Sequence, residues 1–523
     1  MGRPHCISDA VRFIRQCGRV GIGEARRRVR ERMEDDRIRE GLYRHELLSE
    51  REKDVQLSRH FSREIDFAVC FLKHGKPEQA TIQSLQSQTF RYKKTEPDPS
   101  HISGEQYIVF MEADAVLHPG ALYECAVMIQ ETGADLLYAD EDWYIRQPKD
   151  VMNPFCKPDY GPDSLRGCCY IGPFLVCRYG LLAEAGAEEY AMLDANEQWD
   201  AVISMAEKAG KICHIPKVLY YRRVPEGKEI PKPILRRISD RINDGQSVSI
   251  LIPNKDHRED LKRCVDSIRE KTTWPNWEIL VIENNSTEEE TFRYYEELKA
   301  DPRIRVISRE GAFNFSALNN LGAREAKGEQ ILLLNNDTEV ISPDWIQEML
   351  MYAQRQDVGA VGAKLYYPDG TIQHAGIGIG IKMLAGHYFR GFMKDSDGYY
   401  GRLKYAQNVS AVTAACMMIP RKVYEETHGL DESFSVVFND VDLCLRIRQA
   451  GYLIVWTPWA ELIHYESKSR GSDEDTPEKK RFFVRETNRF LRKWWKVLDA
   501  GDPYYNVNLT RQSEDFSLRG KNR

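Results

Sequence analysis

Three stretches of the 523-residue chain share one rhythm. VSILIPNKD (248–256), VIENNS (281–286) and ILLLNNDTEV (331–340) each run apolar and then stop abruptly at polar residues. An unbroken apolar run predicts a strand buried on both faces, and the polar stop predicts that its C-terminal end opens on a ligand crevice. A fourth stretch, FNDVDLCLRI (438–447), sets acids just ahead of an amphipathic helix. Upstream, strand-like runs (FAVCFL, QYIVFM, ADLLYA, CYIGPFLVC) alternate with helical ones at 120–132 and 196–209, which predicts a second α/β unit.

The two units read as copies. SGEQYIVFMEAD (103–114) parallels KGEQILLLNND (327–337), each followed by a turn proline, Pro119 or Pro343. EQWDAVISMAEKAGKICHIP (197–216) parallels NDVDLCLRIRQAGYLIVWTP (439–458). Shared order over two separated blocks predicts an internal duplication. The upstream copy lacks a counterpart of VIENNS and carries Gln198 opposite Asp440 in the paired blocks. It keeps Glu112 and Asp114, and Tyr220 and Tyr221 stand near where a counterpart of His464 is expected. The organisation expected is a basic helical arm (1–60), a degenerate α/β domain (61–224), a proline-rich linker or connecting helix (225–246), a catalytic α/β domain (247–470), and a C-terminal helix and tail (471–523).

Bulk properties narrow the class. A chain of this length exceeds one core, and 42% apolar with 29% charged residues is the balance of a globular protein. A formal charge of −6 gives no reason to expect nucleic-acid binding. Twelve cysteines, single apart from Cys168-Cys169, read as free thiols in a reducing compartment. No signal peptide or transmembrane run is legible, so a cytoplasmic location is expected. Within 1–32, nine arginines stand against Asp9, Glu24 and Glu31 with apolar residues between them. Such a stretch suits either an anionic membrane surface or a solvated arm packed on its own domain.

The strand ends suit metal-assisted transfer of a sugar from a diphosphate. The departing diphosphate needs its charge neutralised, and a divalent ion held by one or two protein ligands plus the phosphates does this. Asp337, with Asn335 and Thr338 beside it, stands where such a ligand belongs; the alternative is a turn that caps the helix near Trp345. Glu283 ends its strand where α/β folds use an acid on a ribose or base, although the turn Asn284-Asn285-Ser286 explains it equally. An acceptor hydroxyl needs a general base, for which Asp440 is the candidate. Either Asp440 or Asp442 can instead cap the helix. His464 completes the metal ligands or serves structure alone.

Residues 248–466 resemble the inverting family 2 glycosyltransferases of the GT-A fold, in particular the rhamnosyltransferase-like enzymes of bacterial cell-surface polysaccharides. The likeness rests on IPNKD, Glu283, Asn335-Asn336-Asp337 at the DxD position, Asn439-Asp440 at the ED position, VTAACMMIPRKVYEETHGLDE (412–432) and HYESKSRG (464–471). It implies two tandem GT-A (Rossmann-like) domains with mostly parallel sheets flanked by helices, the upstream one eroded. By the same resemblance Pro253, Asn254, Asp256, Glu283, Asn335 and Asn336 contact the nucleotide, and Asp337 and His464 the metal, Mg²⁺ or Mn²⁺. Asp440 is then the base, with Thr413, Asp442 and Arg470 on the acceptor side. The expected donor is a UDP- or dTDP-sugar. The expected acceptor is a saccharide or lipid-linked glycan, reached by peripheral contact with the inner face of the plasma membrane. Two features depart from the pattern: Asn335 replaces the first acid of the DxD, and Asn439 the glutamate of the ED. The rival readings are a catalytically inactive glycan- or nucleotide-binding scaffold and a nucleotidyltransferase. The second would carry a glycine-rich phosphate loop that IPNKDHREDL lacks.

Overall fold

A computed structural model describes residues 48–92, 107–146, 153–466 and 476–519; the arginine-rich stretch 1–32 and Arg470 lie outside them. The described residues form two large sheets. The first contains β1 (Phe67–Phe71), β2 (Tyr107–Met111), β3 (Val116–Leu117), β4 (Leu136–Tyr144), β5 (Leu175–Arg178) and β6 (Ile212–Arg223). Its order is β1-β2-β5-β4-β6-β3.

The second sheet begins with β7 (Val248–Asn254), β8 (Trp277–Glu283), β9 (Ile304–Ser308), β10 (Gln330–Leu334) and β11 (Thr338–Val340). It continues with β12 (Val358–Tyr366), β13 (Ile372–His374), β16 (Gln407–Asn408), β17 (Cys416–Pro420) and β18 (Leu453–His464), while β14 (Ile377–Ile379) and β15 (Ala385–His387) pair separately. The order runs β11-β18-β12-β17-β10-β7-β8-β9, with β13 on β12 and β16 on β18. The helices include α1 (Ala121–Thr132), α2 (Ala195–Lys208), α3 (Trp345–Ala353), α4 (Asn439–Gln449) and α5 (Pro477–Ala500), of which α4 and α5 matter below.

The duplication is visible strand by strand. Reading β7-β10-β17-β12-β18-β11 against β1-β2-β5-β4-β6-β3 gives the same order, and each corresponding pair runs in the same relative direction. The downstream sheet adds β8 and β9 in parallel beyond β7, and among the described residues these two have no upstream counterpart.

Both sheets are mixed, where the sequence led us to expect mostly parallel pairing. Parallel pairs join β7, β8, β9 and β10, and also β12 with β18, but β17 runs antiparallel between β10 and β12. An apolar run signals burial on two faces and carries no direction. The reversal has a consequence for the crevice. Leu334, the end of β10, pairs with Cys416, the start of β17, so the turn before β17 sits beside Asn335.

Residues 225–246 contain no helix and no strand beyond a single bridge from Leu235 to Cys168. Beyond α5 the tail returns to the first sheet, where Asn506 and Asn508 bond the fully buried Asp140.

Candidate active site

The ends of β10 and β18 bring Asp337 and His464 together. Thr338 and His464 are register partners, and the Tyr465 N–H donates to the Asp337 carbonyl at 2.9 Å, so the strand pairing itself fixes the approach. Asp337 Oδ1 lies 3.1 Å from His464 Nε2, and both side chains are largely buried. Gln373 sets the tautomer. Its amide N–H donates to Glu466 at 2.7 Å, so its carbonyl oxygen faces His464 Nδ1 at 2.9 Å and makes that nitrogen the donor. The lone pair of Nε2 then points toward Asp337 Oδ1, which is buried without a hydrogen-bond donor, and toward the Asn335 amide N–H at 3.1 Å. Burial works to raise the Asp337 carboxyl; a second proton on the His464 ring, at Nε2, would donate to Oδ1 and hold the group below its ordinary range, so the carboxylate is stabilised by positive charge at that place.

A carboxylate oxygen facing an imidazole lone pair is an arrangement that a divalent cation completes. An imidazole that donates its other N–H to a carbonyl is the usual form of a metal-binding histidine. Among the described residues no three His, Cys, Asp or Glu side chains cluster closely enough to hold a metal. The side chains that could hold an ion here are Asp337 and His464, a pair that would suit one taking the rest of its oxygens from a bound diphosphate and water.

Asp440 stands in the first turn of α4. Its Oδ1 accepts the Val441 N–H at 2.8 Å and its Oδ2 the Ala414 N–H at 3.3 Å. Burial dominates and raises its pKa, opposed by those two amides and the Thr413 hydroxyl. Thr413 and Ala414 belong to the turn before β17, and the same turn accepts the Asn335 N–H on the Ala415 carbonyl at 3.1 Å. One short turn thus connects the Asp337 strand end to Asp440. Gly362 of β12 lets it sit there, since a Cβ at that position would fall 2.5 Å from the Val412 side chain.

On the other flank, Pro253 and Asn254 end β7 beside Ile282 and Glu283 of β8. The Asn254 amide donates to Tyr295 at 2.8 Å and accepts from Asn336 at 2.6 Å, tying the strand ends together. Asp256 accepts the N–H groups of Thr287 and Glu288 at 2.7 and 3.0 Å, and Glu283 accepts that of Ser286 at 2.6 Å. Those amides hold the Asp256 carboxyl below its usual range against the opposing effect of burial. Asp256, His257 and Asn285 all adopt positive φ (50°, 49° and 58°), and such concentration of left-handed backbone is typical of ligand sites.

Residues 249–427 match the family model Glycosyl transferase family 2. They belong to that family. The chain is 40% identical over 451 residues to "Uncharacterized protein y4gI" of Sinorhizobium fredii, covering 79% of this chain and 49% of that protein. It is 35% identical over 452 residues to the O-antigen biosynthesis protein RfbC of Myxococcus xanthus, covering 79% and 34%. Over 151 residues it is 26% identical to the N-acetylglucosaminyl-diphospho-decaprenol L-rhamnosyltransferase of Mycobacterium tuberculosis, covering 27% and 49%. The chain thus spans half or less of the length of these relatives.

Against this family 2 frame, one acceptor-side expectation needs correcting. Asp442 is fully buried, and its oxygens are taken by Arg446 Nε at 2.8 Å, Trp494 Nε1 at 2.8 Å and Lys493 Nζ at 2.7 Å. It fastens α4 to α5 and has no surface left for an acceptor. Neither acid stands at the N-cap of α4, which is Phe438, although Asp440 accepts the first-turn Val441 N–H. The preceding loop is held from α5 by Glu486, which accepts the N–H groups of Ser435 at 2.6 Å and Val437 at 2.7 Å. Thr413 remains beside Asp440.

The upstream cleft differs from the family 2 crevice at one decisive position. Tyr221 pairs with Val116, two residues past Asp114, as Ile463 pairs with Glu339, two past Asp337. The counterpart of His464 is therefore Arg222, one residue beyond the tyrosines expected there. Arg222 binds Glu112 bidentately at 2.9 and 2.7 Å and lies 3.5 Å from Glu141. A fixed guanidinium stands where the downstream copy has the His464 imidazole.

Sequence reasoning missed Gln373, His374 and Glu486. The string IQHAG and a glutamate on an otherwise basic helix were the available signals, and neither is distinctive without the fold.

Proposed function

We propose that the downstream crevice transfers a sugar from a nucleotide-diphosphate donor to a saccharide hydroxyl with inversion, in the building of a bacterial cell-surface polysaccharide. The observation that carries the reading is the connection of Asp337 and His464 to Asp440 through the 413–415 turn. The nucleotide lies on Pro253, Asn254, Asp256, Glu283, Asn335 and Asn336. A divalent ion, Mg²⁺ or Mn²⁺, held by Asp337 and His464, supplies charge neutralisation for the leaving diphosphate. Asp440 accepts the proton of the attacking hydroxyl while the new bond forms from oxygen to the anomeric carbon and the bond to the diphosphate breaks on the opposite face. Its raised pKa brings it nearer the working pH, which favours a general base.

The rhamnosyltransferase named for a diphospho-decaprenol acceptor supports a lipid-linked acceptor, and an Escherichia coli relative named for UDP-Glc and a diphosphoundecaprenol acceptor supports a UDP-sugar, with a dTDP-sugar as the alternative donor in our reading. No helix among the described residues is long and apolar enough to cross a membrane. In our reading the acceptor is met by peripheral contact. The upstream unit is a non-catalytic copy that braces the downstream one. A screen of the purified chain against nucleotide sugars with Mg²⁺ or Mn²⁺ tests the reading. Consumption of one donor, lost in Asp337→Asn and Asp440→Asn, is expected. Binding of a nucleotide sugar without turnover would leave the scaffold reading in its place.

A further inference from the structure

We propose that His374 and His387 form a neutral histidine pair that positions the general base, with His374 acting on Asp440 through Thr413. This rests on the reading of Asp440 as the base. His374 is fully buried at the end of β13, and its Nδ1 lies 3.0 Å from Nδ1 of His387 at the end of β15. Its other nitrogen, Nε2, takes the Thr413 N–H in a long hydrogen bond of 3.5 Å. A backbone N–H can only donate, so Nε2 carries a lone pair and Nδ1 carries the proton. Nδ1 of His387 must then be an acceptor. Each hydrogen bond fixes the next, and the chain works only with both rings uncharged.

The surroundings keep them so. Among the described residues no carboxylate bonds either ring, and burial pushes His374 well below its ordinary value and His387 down to about 4. The charged and titratable groups facing the pair are His464 of β18 on both rings, with Arg390, Lys382 and Glu466 around His387. Only Glu466 favours a charged imidazole, and Gln373 already engages it.

Thr413 is the point of leverage. Its hydroxyl and the Ala414 N–H both stabilise ionised Asp440. If the turn loses its anchor on His374, Asp440 loses part of that support, and its pKa should rise further. A side chain that merely fills space would not move that value.

The test compares two replacements in the full chain. His374→Gln places an amide oxygen near the former Nε2 and can still accept the Thr413 N–H, whereas His374→Asn keeps only the contact toward His387. His374→Asn should lower kcat by roughly 10–100-fold, the usual cost of misplacing a reacting group, with donor KM unchanged and the acid limb of kcat moved to higher pH. His374→Gln should stay near wild type in both. Selective ¹⁵N labelling of the histidines should show His374 neutral at pH 6 with the proton on Nδ1. A charged ring there, or a proton on Nε2, overturns the proposal. So does a His374→Asn enzyme with wild-type kcat and acid limb while Asp440→Asn is dead. If Asp440→Asn also retains turnover, the assignment of the base has failed, and this inference with it.

Discussion

At the scale of single residues, Asp337 and Asp440 make opposite demands on pH. The Asp337 carboxyl is held low, so it is ionised throughout the working range and its replacement acts on charge alone. Asp337→Asn should abolish transfer while the chain keeps its fold, and EDTA should reproduce the loss in wild type. Full turnover in EDTA would remove the metal from the mechanism. Asp440 is held high, so its ionised form costs stability at neutral pH, and that cost disappears as pH falls through the raised value. Asp440→Asn should therefore not lower Tm at pH 7, while kcat drops by about two to four orders of magnitude, the usual worth of a general base. Wild-type kcat should fall on the acid side at a pH above the ordinary carboxylate range. A clear loss of Tm at pH 7 in Asp440→Asn would contradict the desolvation that the geometry implies.

At the scale of elements, α5 keeps α4 in place. Glu486 is almost fully buried and accepts backbone N–H groups of the loop that leads into α4, while Trp494 and Lys493 grip Asp442. Glu486→Gln removes the charge from several charge-assisted bonds, each worth about 1.5–3 kcal/mol. Urea unfolding should show a loss on the order of 2 kcal/mol, with kcat falling further than donor affinity because the loop leads into the first turn of α4, where Asp440, the proposed base, stands. Unchanged stability would mean that the loop is held by its own packing. The element level was also where the sequence spoke most clearly. The runs at 248–256, 281–286 and 331–340 became β7, β8 and β10 with Asn254, Glu283 and Asn335 at or just beyond their ends. Strand direction was not legible, because burial is the same for a parallel and an antiparallel neighbour. Asp442 was misread for a related reason: an acid two residues from Asp440 looks equally available until α5, distant in sequence, covers it.

At the scale of the whole molecule, duplication has produced two clefts with different charge plans. The downstream one leaves Asp337 Oδ1 without a donor, ready for a cation. The upstream one supplies its own cation as Arg222 and closes it with Glu112, Glu141 and the buried Lys157, which binds Glu141 at 2.9 Å. Paired blocks in the sequence foretold the shared order of strands, but the one-residue offset that puts Arg222 at the histidine position emerges only from strand register. Among the described residues Asp114 joins none of the upstream ion pairs, so Asp114→Asn should leave both turnover and Tm near wild type under conditions where Asp337→Asn has no activity. Arg222→Ala should behave differently again. It strands Glu141, whose side chain is 5% exposed, with only Lys157 for compensation. Breaking a buried pair costs about 3–5 kcal/mol, and the partial exposure of Arg222 argues for the lower end. The tail fastened to Asp140 in the same sheet would transmit that loss, so thermal unfolding should begin upstream and precede loss of transfer. If Asp114→Asn and Asp337→Asn each halve turnover, both clefts work, and the contrast in charge between Arg222 and His464 does not separate a catalytic copy from a supporting one.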